Sequence, residues 1–232
     1  MAKGIFQSSL TKKYVMAATG LFLISFLVVH ATINAMIFFN DGGKTFNSWG
    51  HFMGTNLIVR TMEIGLFAGL LLHVVDGLVL YFQNRRARPV KYAFEKASAS
   101  SQWYSRSMAI LGTLILLFLV IHLKDFWLKT RITELTVPNK TMVLPHEGIR
   151  AENLFAEMQM VFSNIWVVAI YVLGCFSLFW HLLHGFRSAF QSMGWNYSKY
   201  ASLIANTGDA FSVVISALFA SMPIAMYLNL VH

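Results

Sequence analysis

YVMAATGLFLISFLVVHATINAMIFF, residues 14–39, runs without a single Asp, Glu, Lys or Arg. An α-helix needs roughly 20 mostly apolar residues to cross the hydrocarbon core of a bilayer, so this stretch is long enough to span one. Lys12 and Lys13 precede it as basic residues precede a signal peptide. The run is, however, about twice as long as a typical apolar signal region of roughly 7–15 residues, and no small-residue cleavage site follows. The stretch therefore predicts a retained first transmembrane helix.

Four further apolar segments predict that the chain crosses the membrane five times. Only 12% of the 232 residues are charged and 56% are hydrophobic, whereas a soluble domain carries about 25% charged residues. We therefore expect an all-α integral membrane bundle, with residues 1–232 forming a single transmembrane domain. Cys175 is the single cysteine of the sequence and lies within a predicted span, so an internal disulfide is excluded. The spans are expected at about 14–39, 61–83, 107–128, 161–186 and 203–230, joined by loops at 40–60, 84–106, 124–160 and 187–202.

The net charge of +8 reflects membrane topology and does not indicate nucleic-acid binding, because the basic residues cluster at the ends of the spans. If the N-terminus is inside, eleven Lys and Arg lie on the inner side and seven on the outer side. Cytoplasmic loops carry an excess of Lys and Arg. The distribution therefore predicts a multi-pass protein with a cytoplasmic N-terminus.

Five of the eight histidines lie inside the predicted spans. Such a residue is costly in a span and by default marks a functional site, although a histidine can also simply hydrogen-bond a neighbouring helix. At about 1.5 Å of rise per residue, the distances from the basic inner ends give two depths. His30 and His122 lie roughly 25 Å from the inner edge, and His73 and His181 lie at roughly 18 Å and 9 Å. The histidines within spans are His30, His73, His122, His181 and His184.

Two layers of two histidines, from four different helices, are what two bis-histidine haems stacked across a membrane require. Helix bundles build cofactor sites from side chains on facing helices, and neutral imidazole is a standard axial haem ligand. Gly77 and Gly185 follow His73 and His181 by one turn, where a missing side chain lets a porphyrin approach; the alternative is close helix packing. A zinc site at His181 and His184 is a second interpretation, which needs further ligands.

Several other polar residues near the span ends have two interpretations each. Asp76 either handles a proton for a quinone or is an interfacial group with local water. Glu63 is a charge at headgroup level or part of an outer quinone site. Arg187 is a topology signal or a partner of a haem propionate, since Arg suits carboxylates. His184, without a partner at its depth, is a candidate for a supporting role near a propionate or quinone.

The chain resembles the di-haem cytochrome b subunit of bacterial succinate dehydrogenases and fumarate reductases whose anchor is one five-span polypeptide. The resemblance covers nearly the whole chain and is closest over the first 92 residues. It is carried by SSLTKKYVMAATGLFLISFLVVHATIN (8–34), FN (46–47), NLIVRTMEIG (56–65), HVVDG (73–77), NRRARPVKY (84–92), FWHLLHGF (179–186) and GW (194–195).

This resemblance implies two haem b groups, with His73 and His181 as the axial ligands of the inner one and His30 and His122 as those of the outer one. It implies a bacterial cytoplasmic membrane location, a flavoprotein subunit with FAD, an iron–sulfur subunit, and electron transfer to or from a membrane quinone such as menaquinone. A dimer of the whole complex is left open. Some related fumarate reductases use a glutamate two residues before the fourth ligand for proton movement, and here that position is Phe179.

The residues leave two other classes of function open. One is a haem-free structural anchor, and the other is a small histidine-lined proton or ion transporter.

Overall fold

The computed structural model describes residues 9–87, 102–144, 148–195 and 198–232. It contains five helices that are long and apolar enough to cross a membrane, which confirms the prediction of an all-α, multi-pass chain. The candidate spans are Leu10–Phe39, Leu57–Arg86, Met108–Arg131, Ile165–Ser192 and Ala201–Tyr227. Most of the predicted boundaries differ by a few residues, because polar residues such as Arg86 and Gln191 continue a helix beyond the hydrocarbon that sets its apolar length.

The helices are named here in chain order, together with the shorter elements between them. The helices are α1 (Ser9–Asn34), α2 (Lys44–Thr55), α3 (Leu57–Arg86), α4 (Trp103–Arg106), α5 (Met108–His122), α6 (Leu128–Arg131), α7 (Leu154–Val161), α8 (Ile165–Ser192) and α9 (Ala201–Tyr227). A 3-10 turn, Ala35–Phe39, extends α1, and a π-helical turn, Leu123–Trp127, joins α5 to α6. Pro223 lies inside α9 without ending it.

Asparagine side chains cap the N-termini of three of these helices. Asn56 accepts hydrogen bonds from the backbone N–H groups of Ile58 and Val59, and Asn164 accepts one from Trp166. Asn153 does the same for Ala156 at the start of α7. A side-chain oxygen at this position satisfies backbone donors that have no partner within the helix. These caps fix where α3, α7 and α8 begin.

The segments expected as loops at 40–60 and 124–160 are largely folded, so that expectation was wrong. Helix α2 occupies the first segment. In the second, the third span continues to Arg131, and strands β1 (Thr141–Val143) and β2 (Arg150–Glu152) form an antiparallel pair ahead of α7. We call α2, the described part of residues 132–153 and α7 the cap. Short polar segments rich in Gly read as loops, but the cap is held by contacts between residues about a hundred positions apart.

Two buried polar side chains hold the cap together. Asn47 is fully buried; it donates to Asn153 Oδ1 at 3.1 Å and accepts from the Phe155 N–H at 3.0 Å. Glu157, only 1% exposed, accepts from Lys129 Nζ at 2.6 Å and from the Thr136 N–H at 2.8 Å. Burial alone would raise the pKa of the Glu157 carboxyl, but the hydrogen bonds from Lys129 and Thr136 outweigh it and hold that pKa below its ordinary value. Because Lys129 belongs to the third span, this pair ties the cap to the bundle.

The first four spans form a ring, and the fifth packs outside it. Helix α1 packs against α3 and α8, and α5 packs against the same two helices. Helices α1 and α5 therefore lie at opposite corners of the ring, as do α3 and α8. Helix α9 packs most extensively against α8 and also touches α1.

Buried side chains are unevenly distributed among the spans. No residue of α3 is buried, although α3 packs against α1 and α5. Buried hydrophobic residues concentrate instead where α8, α9 and the cap meet, around Phe155, Phe162 and Tyr171. The outward faces of the spans carry large exposed apolar side chains such as Leu71 and Leu117, which suits lipid as the surrounding solvent.

Candidate paired-histidine sites

Four of the histidines within the spans meet in two pairs. The ring centres of His30 and His122 lie 5.8 Å apart, and those of His73 and His181 lie 6.2 Å apart. The interplanar angles are 85° and 65°. The pairs are the same two that the depth estimate groups, so the structure brings together the side chains that the sequence matches by layer.

Each pair joins helices at opposite corners of the ring. His30 on α1 faces His122 at the end of α5, and His73 on α3 faces His181 on α8. Since opposite corners can meet only across the centre of the ring, both pairs lie in the interior of the bundle. The His30–His122 pair lies toward the cap, and the His73–His181 pair lies toward the other end.

A hydrogen bond sets which nitrogen of His73 is free. Thr19 Oγ1 lies 3.1 Å from His73 Nδ1, and two carbonyls of its own helix accept its proton, Val15 at 2.8 Å and Met16 at 3.1 Å. A hydroxyl has only one proton to donate, so Thr19 accepts from His73 Nδ1–H. The neutral ring then carries its lone pair on Nε2. That is the state in which an imidazole binds a metal, oriented by a partner on its other nitrogen.

The cap-side pair is positioned differently. Asn34 Nδ2 donates to the His30 carbonyl at 2.8 Å and lies 3.3 Å from His30 Nδ1. Nδ1 of both His122 and His181 is buried and finds no hydrogen-bond partner among the residues that the structure describes. A buried polar atom without a partner costs free energy, so one ring in each pair is left with an unmet polar requirement.

Aromatic rings enclose the cap-side pair. Phe26 stacks on His30 with centroids 5.1 Å apart, and Phe118 stacks on His122 at 5.6 Å. Phe126 and Tyr171 also contact the His122 ring, at 5.5 Å and 6.0 Å. These side chains exclude water from the pair.

Glycines on the neighbouring helices face the other pair. A Cβ on Gly20 of α1 would lie 3.6 Å from His73 Cε1, and one on Gly112 of α5 would lie 3.7 Å from His181 Cε1. Both distances are ordinary van der Waals contacts, so these two glycines border the histidine rings. Sequence reasoning missed both glycines, because each lies on a different helix from the histidine it faces.

The donor sets fit a metal whose remaining ligands come from a macrocycle. An ion held between two imidazole nitrogens at about 2 Å from each keeps the ring centres roughly 6 Å apart, close to both observed values. Within the described residues no group of three or more His, Cys, Asp or Glu could hold a metal, so zinc, which takes three or four protein ligands, lacks its set at His181 and His184. Two facing histidines from opposite corners of a helix ring are a donor set of the kind that a haem takes as its axial ligands.

The glycines and basic residue expected near the cofactor differ in their surroundings. A Cβ on Gly185 would meet nothing within 4 Å, whereas one on Gly77 would lie 3.4 Å from Met16 Cε, which favours helix packing for Gly77. Arg187 forms an ion pair with Asp209 of α9. His184 is partly buried, and in the described part of the chain it makes no hydrogen bond or ring contact.

The two carboxylates singled out at the ends of the second span are placed in contrasting ways. Glu63 accepts from Trp127 Nε1 and from Arg60, each at 2.6 Å, and lies 3.6 Å from Arg131. Asp76 Oδ2 is buried, and within the described part of the chain no group donates a hydrogen bond to it. Glu63 is therefore engaged in a hydrogen-bond network next to the cap. Asp76 lies at the end of the bundle that holds the His73–His181 pair, and its Oδ2 has no donor among the described residues.

A polar contact beside His122 was not foreseen from the sequence. The π-helical turn begins directly after His122 and turns Asp125 inward, where it is buried and accepts from Tyr171 Oη at 3.1 Å. π-turns inside α-helices are frequent at functional sites. The signal in the sequence, LKDFW after the histidine, has no period that distinguishes it from an α-helical turn.

These features define the class of protein: a multi-pass α-helical membrane protein whose interior holds two pairs of facing histidines. The chain matches no protein-family model, no curated protein and no solved structure.

Proposed function

We propose that this chain is a di-haem cytochrome b membrane anchor of the succinate:quinone oxidoreductase and quinol:fumarate reductase type. It would carry electrons between an iron–sulfur subunit, itself served by a flavoprotein with FAD, and a membrane quinone such as menaquinone. It would thus be the quinone-reactive, electron-transferring subunit of the enzyme, and dicarboxylate chemistry would take place in its partners. The observation that carries the proposal is the meeting of His30 with His122 and of His73 with His181 across the ring.

Each histidine has a defined task in this proposal. His73 and His181 would hold one haem iron from its two faces, and His30 and His122 would hold the other. A haem so bound supplies reversible one-electron transfer, and two axial histidines leave no open position for oxygen. Thr19 keeps His73 in the tautomer that presents Nε2. Phe26, Phe118 and their neighbours keep water away from the cap-side pair.

The orientation follows from the basic residues. With the N-terminus in the bacterial cytoplasm, the His73–His181 pair is the inner one and the cap lies outside. The inner ends of the spans carry Arg85, Arg86 and Arg187, in line with the excess of cytoplasmic Lys and Arg. Lys3 and the basic residues of 88–101 that also support this orientation lie outside the described residues.

The direct test is an absorption spectrum of the purified protein, reduced minus oxidised. We expect a b-type α-band and two haems per chain. A protein that is folded by circular dichroism but colourless, when expressed with sufficient haem, would overturn the proposal. That result would leave the structural anchor or the transporter as the function.

Two variants at the FWHLLHG stretch provide a matched comparison. His181→Ala should remove one haem, because it deletes an axial ligand, whereas His184→Ala should leave both. The haem content of the two proteins, purified side by side, measures this difference. Equal losses would show that the assignment of the ligand within α8 is incorrect.

A third variant tests the orienting contact. Thr19→Val keeps the side-chain shape but removes the acceptor for His73 Nδ1–H. We expect two haems to remain and the midpoint potential of one to shift, since second-shell partners tune a metal through its ligand. Thr32→Val is the control, because Thr32 bonds only its own helix at the Val28 carbonyl. If both variants leave both potentials unchanged, Thr19 has no role at the site.

A further inference from the structure

A cleft of about 360 Å³ opens in the cap, away from both histidine pairs. It is lined by α2, by the end of the third span and by both strands of the hairpin. Its charged lining residues are Arg131, Arg150 and Glu152, and His51 lies beside them. Sites for small ligands typically have volumes of roughly 300–1,000 Å³, so the cleft is large enough for a small polar group.

Arg131 is held in place with one donor unused. Its Nη1 donates to the Gly54 carbonyl at 3.4 Å, and its Nη2 lies 3.6 Å from Glu63 Oε2. A Cβ on Gly54 would lie 3.4 Å from Nη1, so the guanidinium packs closely against α2. Nε is buried and has no hydrogen-bond partner among the described residues. A fixed guanidinium with a free N–H is suited to an anionic oxygen ligand.

The cleft also carries an acidic side chain, Glu152. Burial raises the pKa of the Glu152 carboxyl, while Arg131 and His51 are near enough to lower it. Glu152 and Arg150 alternate with the buried Ala151 on β2, so both of their side chains lie on the exposed face of the strand. The cleft therefore offers two guanidinium groups and one carboxylate to the same ligand.

The cleft lies at the end of a candidate membrane span, where we expect lipid headgroups. Arg131 is the last residue of the third candidate span. On α2, Trp49 is 46% exposed, and Trp is enriched at membrane–water interfaces. A ligand in the cleft would therefore meet the protein from the membrane surface as readily as from the solvent.

We propose that this cleft binds the headgroup of a zwitterionic phospholipid, with the phosphate at Arg131 and Arg150 and the ammonium group at Glu152. Arginine pairs with phosphate through two parallel hydrogen bonds. The carboxylate gives the selectivity, because it attracts a headgroup with an ammonium group and repels one with only negative charge. This inference does not depend on the proposed haem function.

The test uses the full-length protein, stripped of lipid in detergent and titrated with phosphatidylethanolamine or phosphatidylglycerol, with bound lipid counted by native mass spectrometry. We expect phosphatidylethanolamine to bind at least tenfold more tightly. Arg150→Gln should weaken both lipids about tenfold, whereas Glu152→Gln should erase the preference between them. Lys140→Gln is the control: Lys140 is an exposed cap residue paired with Glu134 outside the cleft.

Three results would overturn the proposal. One is equal binding of both lipids by the unaltered protein, and another is the same loss in Lys140→Gln as in Arg150→Gln. The third is displacement of the lipid by millimolar inorganic phosphate, which would make a soluble phosphate compound the ligand. Because Arg150 and Glu152 are exposed, we expect both variants to keep the melting temperature of the parent, and that measurement separates loss of binding from loss of folding.

Discussion

Replacing the four ring histidines by alanine, singly and in every pairwise combination, tests the proposed cofactor sites as units. The structure joins His30 to His122 and His73 to His181, with ring centres 5.8 Å and 6.2 Å apart. If each pair holds one iron, the two members of a pair act together. Their effects on haem content will then be strongly non-additive within a pair and additive between pairs.

The expected magnitudes follow from counting ligands. Each single replacement removes one axial ligand and should lower haem content from two per chain to one. Replacing both members of one pair should cost no more than replacing one, so the content stays at one. Replacing one member of each pair should lower it to zero. Four of the six double variants are of this second kind, and the remaining two are the His30–His122 and His73–His181 combinations.

The assay is the pyridine haemochrome spectrum, normalised to protein, for membranes purified under equal haem supply. Circular dichroism of each variant checks that the helices persist. The reasoning is refuted if a within-pair double variant loses both haems, or if His30 and His73 together behave as one unit. Either result would mean that the ring contacts do not identify the ligand pairs.

Two further predictions concern the cap. Glu157→Gln should lower the free energy of unfolding at pH 7 by about 2 kcal/mol, less than the roughly 3–5 kcal/mol of a fully buried broken pair, since Lys129 retains 17% side-chain exposure. The folded pKa of Glu157 lies below its ordinary value of 4.5, so this stabilisation is complete above pH 4.5 and is lost as the pH falls through the folded pKa. The melting temperatures of the parent and the variant should therefore converge between pH 7 and pH 3. A difference that is constant with pH would contradict the assignment. Gly43→Ala should destabilise the protein more than Gly42→Ala. Both glycines have a positive φ, 74° at Gly43 and 71° at Gly42. A Cβ on Gly43 would lie 2.2 Å from Phe155 Cγ, whereas a Cβ on Gly42 would meet nothing within 4 Å. Backbone strain at Gly42→Ala should lower the free energy of unfolding by about 1 kcal/mol, and overpacking at Gly43→Ala should lower it by roughly 1–3 kcal/mol more. Thermal melts in detergent measure the two losses. Equal losses would show that Phe155 moves aside.

The number of spans could be predicted because the physical constraint acts on the sequence directly. A helix in lipid satisfies its backbone hydrogen bonds internally, so length and apolar composition alone identify it. The same holds for depth: His30 and His122 could be matched across the membrane because rise per residue is constant along a helix. The pairing of these two residues by ring contact agrees with that estimate.

The cap could not be predicted in the same way. Its segments are short, Gly-containing and polar, and their order comes from contacts such as Asn47 with Phe155, which are far apart in the chain. The expectation of loops failed there because local composition does not show that an asparagine will be buried. Nor does it show that a carboxylate such as Glu157 will link two elements. Gly20 and Gly112 were missed for the same reason, since the meaning of each depends on a histidine from another helix.

The up-and-down path of the chain explains why one choice of position produces two layers. Spans one and three run in one direction and spans two and four in the other, so opposite corners of the ring are parallel to each other. All four ring histidines lie in the C-terminal half of their candidate spans, at positions 30, 73, 122 and 181. For parallel spans this places both histidines at the same depth, and for antiparallel spans it places them at opposite sides of the midplane. A single rule, a histidine past the middle of each span, therefore generates one facing pair toward the cap and one toward the other end. Placing a histidine before the middle of any one span would leave two residues without a partner.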